Sequence, residues 1–230
     1  MATNYQLNRD QVIAGALRIC NAIDPEETPK QSDIDTCAEA LNVLCASWEN
    51  RGLPLWKIKK HEISFVEGQA KYTVSNARPL EVTNAVLHNN NSKSDITMVR
   101  LARQEYLMLG VKTSTGVPTQ YYYEYDTTAG DFYVYPSPSA DAAANMKFHV
   151  WYREPFTTID TAGSYPDFPK EFVSALKWNL AAAIAHEYSV PLKKIQMIEQ
   201  KAAQEADDAF DFNIEHTSVY FNPSKYRGYQ

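Results

Sequence analysis

The sequence predicts an α+β fold, in which an antiparallel helical bundle is interrupted by a β-rich, sandwich or barrel-like insertion and followed by an extended C-terminal arm. Apolar residues recur at helical spacing near both ends of the 230-residue chain, whereas in its middle they alternate with polar residues. These two patterns predict a discontinuous helical domain of residues 1–52 and 165–212, a β-rich domain of residues 53–164 and an arm of residues 213–230.

Two amphipathic helices are predicted at the beginning of the chain. Asn8 and Gln11 have the spacing of a capping box for the first helix, which Pro25 ends. The second helix carries Leu41 and Trp48 on its apolar stripe. Two such stripes cannot bury each other completely, so their packing partners must come from elsewhere in the chain.

These partners are two helices late in the sequence. Residues 168–188 carry an apolar stripe that includes Leu180 and is widened by Trp178, and residues 192–212 form the next helix after a break at Pro191. We therefore predict that four residues of the two helical pairs lie in the core of the bundle: Leu41, Trp48, Trp178 and Leu180.

The period of the apolar residues changes to two in the middle of the chain. Residues 63–74 are predicted to form a hairpin that turns at Glu67-Gly68. A further strand over residues 80–87 ends in the turn-forming run NNNSKSD, and residues 101–109 are predicted as a short helix. The alternation returns at residues 148–152.

Six tyrosines are concentrated in residues 116–138, which read GVPTQYYYEYDTTAGDFYVYPSP. Tyrosine can form a stacking platform for sugars or bases, but it is also a strong strand former. We predict a strand hairpin, in which Tyr121, Tyr123 and Tyr125 share one face and Tyr122 lies on the other. Because both faces are then aromatic, one of them is expected to meet a partner.

Charge and motifs argue against nucleic-acid binding and against catalysis. The net charge is −6, whereas binding through phosphates needs a concentrated basic surface. The sequence has no phosphate-binding glycine loop, nucleophile elbow, paired-cysteine metal box or HExxH helix, so no catalytic, cofactor-binding or metal-binding residue is predicted. The histidines have no ligand spacing: His61, His88, His149, His186 and His216. The cysteines are predicted to be small buried hydrophobes: Cys20, Cys37 and Cys45.

The same residues leave two other function classes open. The tyrosines of residues 121–135 suit a carbohydrate or receptor-binding β module, and the many carboxylates suit a cell-wall hydrolase, although the sequence names no acid pair. The densest acidic group lies on the last predicted helix and is expected to be a solvated face: Glu205, Asp207, Asp208 and Asp211. The start of the chain lacks a signal-peptide pattern, and we expect a soluble chain made in a cytoplasm.

The last eighteen residues, NIEHTSVYFNPSKYRGYQ, predict neither a helix nor an alternating strand. They carry Tyr220, Phe221, Tyr226 and Tyr229 on a polar background that contains proline and glycine. A segment with so many aromatic residues is unlike an ordinary flexible terminus. We expect these four side chains to form an assembly interface on another subunit.

Four segments in a fixed order resemble a known family. They are LNVLCASWENRGLPLW, QEYLMLGVKTSTGVPTQYYYEY leading into FYVYPSP, YPDFPKEFVSALKWNLAAAIAHEYSVP, and the alanine-rich last helix with its aromatic arm. As an ordered set they resemble the head-to-tail adaptor proteins of short-tailed bacteriophages, the group that contains the tail tubular protein A and packaged-DNA stabilisation families.

The resemblance implies a structural protein of the virion, at the head-tail junction, which is assembled in the host cytoplasm. It implies twelve copies in a ring beneath the portal protein, with the helical part near portal and tail and the β insertion outside. Such a ring continues the DNA channel, retains packaged DNA and receives the next nozzle or tube protein of the tail. Double-stranded DNA would pass without specific binding, and neither a cofactor nor a membrane is implied.

Overall fold

The computed structural model describes residues 7–51, 55–74, 78–125, 129–161, 163–164 and 166–212. The helices are α1 (Arg9–Cys20), α2 (Gln31–Asn50), α3 (Arg103–Leu107), α4 (Ala140–Asn145), α5 (Val173–Ile184) and α6 (Leu192–Phe212). The strands are β1 (Ile58–Ser64), β2 (Lys71–Val74), β3 (Glu81–Asn89), β4 (Ser94–Thr97), β5 (Val99–Leu101), β6 (Thr115–Gly116), β7 (Gln120–Tyr125), β8 (Gly130–Tyr135), β9 (Ser137–Pro138) and β10 (Met146–Arg153). The predicted α+β class is confirmed.

The predicted capping box begins α1. The Asn8 side chain accepts a hydrogen bond from the backbone N–H of Gln11 at 2.9 Å, and the Gln11 side chain accepts one from the backbone N–H of Asn8 at 3.0 Å. The helix ends before Pro25, because Asn21 adopts the left-handed conformation at φ 57°. Local sequence therefore determines both ends of this helix.

The helices from the two ends of the chain share one hydrophobic core. Leu41 and Leu180 are completely buried, and Trp48 is 3% exposed. Trp178 is only partly buried and packs against the edge of this core. All three cysteines lie inside it, and burial raises the pKa of the Cys45 thiol to about 12.

A second core lies between two four-stranded sheets. The first sheet has the strand order β1-β10-β3-β4 and is antiparallel throughout. The second has the order β2-β8-β7-β5, in which only β5 pairs in parallel. Phe148 of the first sheet meets Phe132 of the second with ring centroids 5.7 Å apart. The β-rich part is a sandwich and not a closed barrel.

The hairpin predicted over residues 63–74 is wrong. β1 pairs with β10 and β2 pairs with β8, so the chain crosses from one sheet to the other at Glu67-Gly68. The physical reason is that alternation identifies the buried face of a strand but not its neighbour. Phe65, directly after β1, and Tyr72 on β2 both lie in the core of the sandwich, where their rings are 5.7 Å apart.

The strands predicted over residues 80–87 and 148–152 are confirmed as β3 and β10. β3 is followed by the predicted polar run and pairs with β4, and the predicted short helix is α3. The two core clusters follow the predicted order of helical, β-rich and helical segments, although Trp56 and Ile159 belong to the helical cluster. The domain limits at residues 52 and 164 stay a prediction.

Candidate functional site

The tyrosines of residues 121–135 are mostly strand residues, as predicted. Tyr121 and Tyr123 are 4% and 2% exposed and face the core of the sandwich. On the opposite face, the Tyr122 ring stacks on the Tyr106 ring of α3 at 5.1 Å, and Tyr133 lies 5.3 Å from the same ring. Tyr106 of the same chain therefore covers part of the aromatic face for which a partner was expected.

Several exposed apolar side chains lie in α3 and in the segments of the chain on either side of it. We call this set the α3 loop patch, and its exposed members are Val99, Leu107, Met108, Val111 and Val117. Met108 is 80% exposed. The neighbouring Tyr106 packs against Tyr122 and Tyr133 of the sheet, and this contact positions α3 against the sheet. Exposed apolar surface of this kind marks interaction sites in soluble proteins.

A second exposed apolar surface lies on the helices. We call it the helix groove, and it runs between α2 and α5 with an apolar floor of Ala40, Val43, Leu44 and Ala183. Val43 is 66% exposed. Glu39 and Glu187 also line the groove, so negative charge lies beside its apolar side chains.

The acidic group on α6 has the predicted solvated character. Asp207, Asp208 and Asp211 are exposed. Glu205 lies 2.9 Å from the ammonium of Lys201, and hydrogen bonds from Lys201 and then Ser174 hold the pKa of its carboxyl below the usual value. These exposed aspartates give this face of α6 a negative potential, which repels phosphate groups.

Histidines that are far apart in sequence meet on the first sheet. The imidazole rings of His88 and His149 stack with centroids 4.7 Å apart, although the sequence shows no ligand spacing between them. Burial, followed by the Lys60 charge, lowers the pKa of His149. Alternation alone places both rings outside the sandwich, but their meeting depends on the pairing of β3 with β10, which was not predicted.

Nearly the whole chain matches a known family. A family model described as SU10 adaptor protein matches residues 10–221, a range that contains every strand. The chain belongs to the SU10 adaptor protein family. A search of the curated proteins finds no match to it.

Membership makes this adaptor a structural component of a phage virion that interacts with other head or tail proteins. The predicted resemblance is thereby confirmed at the level of a phage adaptor, whereas membership of the tail tubular protein A and packaged-DNA stabilisation families stays a prediction. Tyr220, Phe221, Tyr226 and Tyr229 lie outside the described residues. No helix in the described part of the chain is long and apolar enough to cross a membrane.

Proposed function

We propose that this adaptor forms a ring beneath the portal protein, extends the DNA channel, retains packaged DNA and docks the next tail component. Family membership supports the adaptor role. The observation that carries the ring is that two different apolar surfaces, the α3 loop patch and the helix groove, are exposed on one chain. A closed ring uses head-to-tail contacts, in which each subunit offers two unlike surfaces to its neighbours.

The copy number in this proposal is twelve, as the resemblance implies. The proposal also keeps the predicted division into a helical domain of residues 1–52 and 165–212, a β-rich domain of 53–164 and an arm of 213–230. Within the ring, the exposed aspartates of α6 would keep passing DNA from adhering, since like charges repel.

The aromatic arm ties the subunits together in this proposal. Tyr220, Phe221, Tyr226 and Tyr229 supply large rigid apolar faces, which dominate the energetics of interfaces. A segment that becomes ordered on assembly adds interface only when the correct partner is present. Assembly would then depend on the arm, whereas folding of the subunit would not.

Co-sedimentation with the portal ring of the same virus, followed by imaging of the complex, tests the proposed function. We expect stoichiometric binding as a second ring, and a chain that stays in the supernatant while portal pellets would contradict the adaptor role. Deletion of residues 214–230 is expected to preserve the melting temperature and abolish binding. Normal assembly of this truncated chain would remove the arm from the mechanism.

A second pair of variants tests the contribution of the α3 loop patch to assembly independently of the arm. Met108→Asp in the α3 loop patch is expected to leave stability within about 0.5 kcal/mol, because the side chain is exposed, and to weaken ring formation. The matched control is Val66→Asp, another exposed apolar residue that lies outside both surfaces. Equal assembly of the two variants would show that the α3 loop patch is not an interface.

A further inference from the structure

Four ionisable side chains form a row across the outer face of the first sheet. Glu62 on β1 is the register partner of His149 on β10, and His88 on β3 is the register partner of Asp95 on β4. His149 and His88 lie diagonally across β10 and β3, so each of the four strands contributes one residue. We call Glu62, His149, His88 and Asp95 the His-carboxylate row.

The distances in this row are those of interacting groups. The Nδ1 atom of His88 lies 2.6 Å from the Oδ1 atom of Asp95, and the Nε2 atom of His149 lies 3.5 Å from the Oε1 atom of Glu62. One potential ligand atom from each of His88, Asp95 and His149 can be chosen so that all three lie within 4.8 Å of one another. These donors come from three different strands.

One nitrogen in the row is buried and has no hydrogen-bond partner among the described residues. His149 is 5% exposed, and within that part of the chain its Nε2 atom makes no hydrogen bond, although a carboxylate oxygen of Glu62 lies 3.5 Å away. A buried polar atom that lacks a partner costs about 1–3 kcal/mol in folded proteins, so such atoms call for a functional explanation. Packing of the sandwich supplies none, because the neighbouring residues Phe148 and Val150 face the core while His149 faces away from it.

We propose that the outer face of the first sheet binds one divalent transition-metal ion of the zinc class, with His88, His149 and Asp95 as ligands. Imidazole nitrogen and carboxylate oxygen are ordinary zinc ligands, and three protein ligands leave the fourth position of the ion to water. The proposal is independent of the proposed ring, because it concerns the sheet of a single subunit.

Binding requires a local rearrangement of the rings. The lone pair of an imidazole nitrogen lies in the plane of its ring, and the two rings are nearly parallel, with an interplanar angle of 16°. Parallel stacked planes do not intersect, so one ring must turn out of the stack for both nitrogens to meet the same ion.

The bound ion would fasten the edge of the sheet. β4 is the edge strand, and all four of its residues are exposed, so little apolar burial holds it in place. An ion shared by His88, His149 and Asp95 connects this strand to β3 and β10. The expected consequence is a sheet that resists opening from the edge when the metal is present.

Titration of the full chain with zinc sulfate, after treatment with a chelator, tests the site by calorimetry. We expect one ion per chain and a higher melting temperature, since a ligand that binds only the folded state stabilises it. Asp95→Asn and His88→Gln are each expected to weaken binding by at least roughly tenfold, the loss that even residues behind the ligands typically cause. Asp95 is exposed, so its substitution preserves the fold.

His186→Gln is the matched control. The Nε2 atom of His186 lies 3.8 Å from a carboxylate oxygen of Glu199, but this pair is not part of the His-carboxylate row. We expect this variant to bind zinc like the unsubstituted chain. Absence of zinc binding by the unsubstituted chain would overturn the proposal, as would equal binding by the Asp95→Asn variant or equal loss in the control.

Discussion

Trp48→Ala is expected to destabilise the helical core more than any ordinary surface substitution. The Trp48 ring is 3% exposed and meets three phenylalanines edge-on, with centroid distances of 5.7 Å to Phe168, 6.2 Å to Phe172 and 5.4 Å to Phe210. It therefore joins α2 to the beginning of α5 and to α6. Removing it deletes nearly all of its buried apolar area and leaves a cavity among rings that remain.

The magnitude follows from these contacts. A buried tryptophan replaced by alanine costs about 3–5 kcal/mol, and each aromatic pair contributes about 0.5–1.5 kcal/mol beyond area burial. With three such pairs lost, we expect the upper part of that range, about 4–5 kcal/mol. For a urea slope of about 2–3 kcal/mol/M, the midpoint of unfolding falls by about 1.3–2.5 M.

Urea unfolding followed by far-UV circular dichroism measures this shift, since the helices dominate that signal. Trp178→Ala is the matched control, because Trp178 is a tryptophan of the same helical part that is only partly buried. We expect the control to lose about 1–2 kcal/mol. An unchanged midpoint for Trp48→Ala, or an equal loss in both variants, would refute this account of the core.

Three further predictions follow from local geometry. Gly130→Ala is expected to cost about 1–3 kcal/mol by overpacking, because the added methyl group would lie 2.6 Å from the Tyr123 hydroxyl. The control is Gly110→Ala, whose added methyl group meets no atom of the described residues within 4 Å, and equal thermal stability of the two variants would contradict the packing around Gly130. Asp167→Ala leaves the buried ammonium of Lys57 without its ion partner and is expected to cost about 1–3 kcal/mol, measured by thermal unfolding. The double variant that also carries Lys57→Met should lose less stability than Asp167→Ala alone. Burial raises the pKa of Tyr123 from 10.0 to about 12, so the unfolded chain loses this proton at a lower pH than the folded chain. The free energy of unfolding therefore falls as the pH rises from about 10 toward about 12. Tyr123→Phe should flatten that fall, and an identical pH profile of the variant would contradict the raised pKa of Tyr123.

Local signals in the sequence predicted the elements well. The capping box of Asn8 and Gln11 depends on two residues three positions apart, and the strands of the tyrosine hairpin depend on alternation within residues 120–135. Both are properties of short segments, whose conformation is largely decided by neighbours along the chain. The order of the four segments that carry the family resemblance was also enough to indicate a phage adaptor, which the family match supports.

Pairing between distant segments was not predictable in the same way. The hairpin expected over residues 63–74 failed because β1 pairs with β10 in one sheet and β2 pairs with β8 in the other, and both partners are distant in sequence. The burial of Trp178 depends on the angles at which the helices pack, and the apolar stripe of a helix in the sequence does not specify these angles.

The sequence by itself determined the α+β class, the positions of the long helices and of β3, β7, β8 and β10, since these depend on periodicity and on local capping. It did not indicate the short elements α4, β4, β5, β6 and β9. Only the tertiary structure decided that β10 pairs with β1 and β3, and thereby that Glu62, His149, His88 and Asp95 form one row. The physical reason is that side-chain period records which face of a strand is buried, whereas the identity of its neighbour is set by the packing of the whole sandwich.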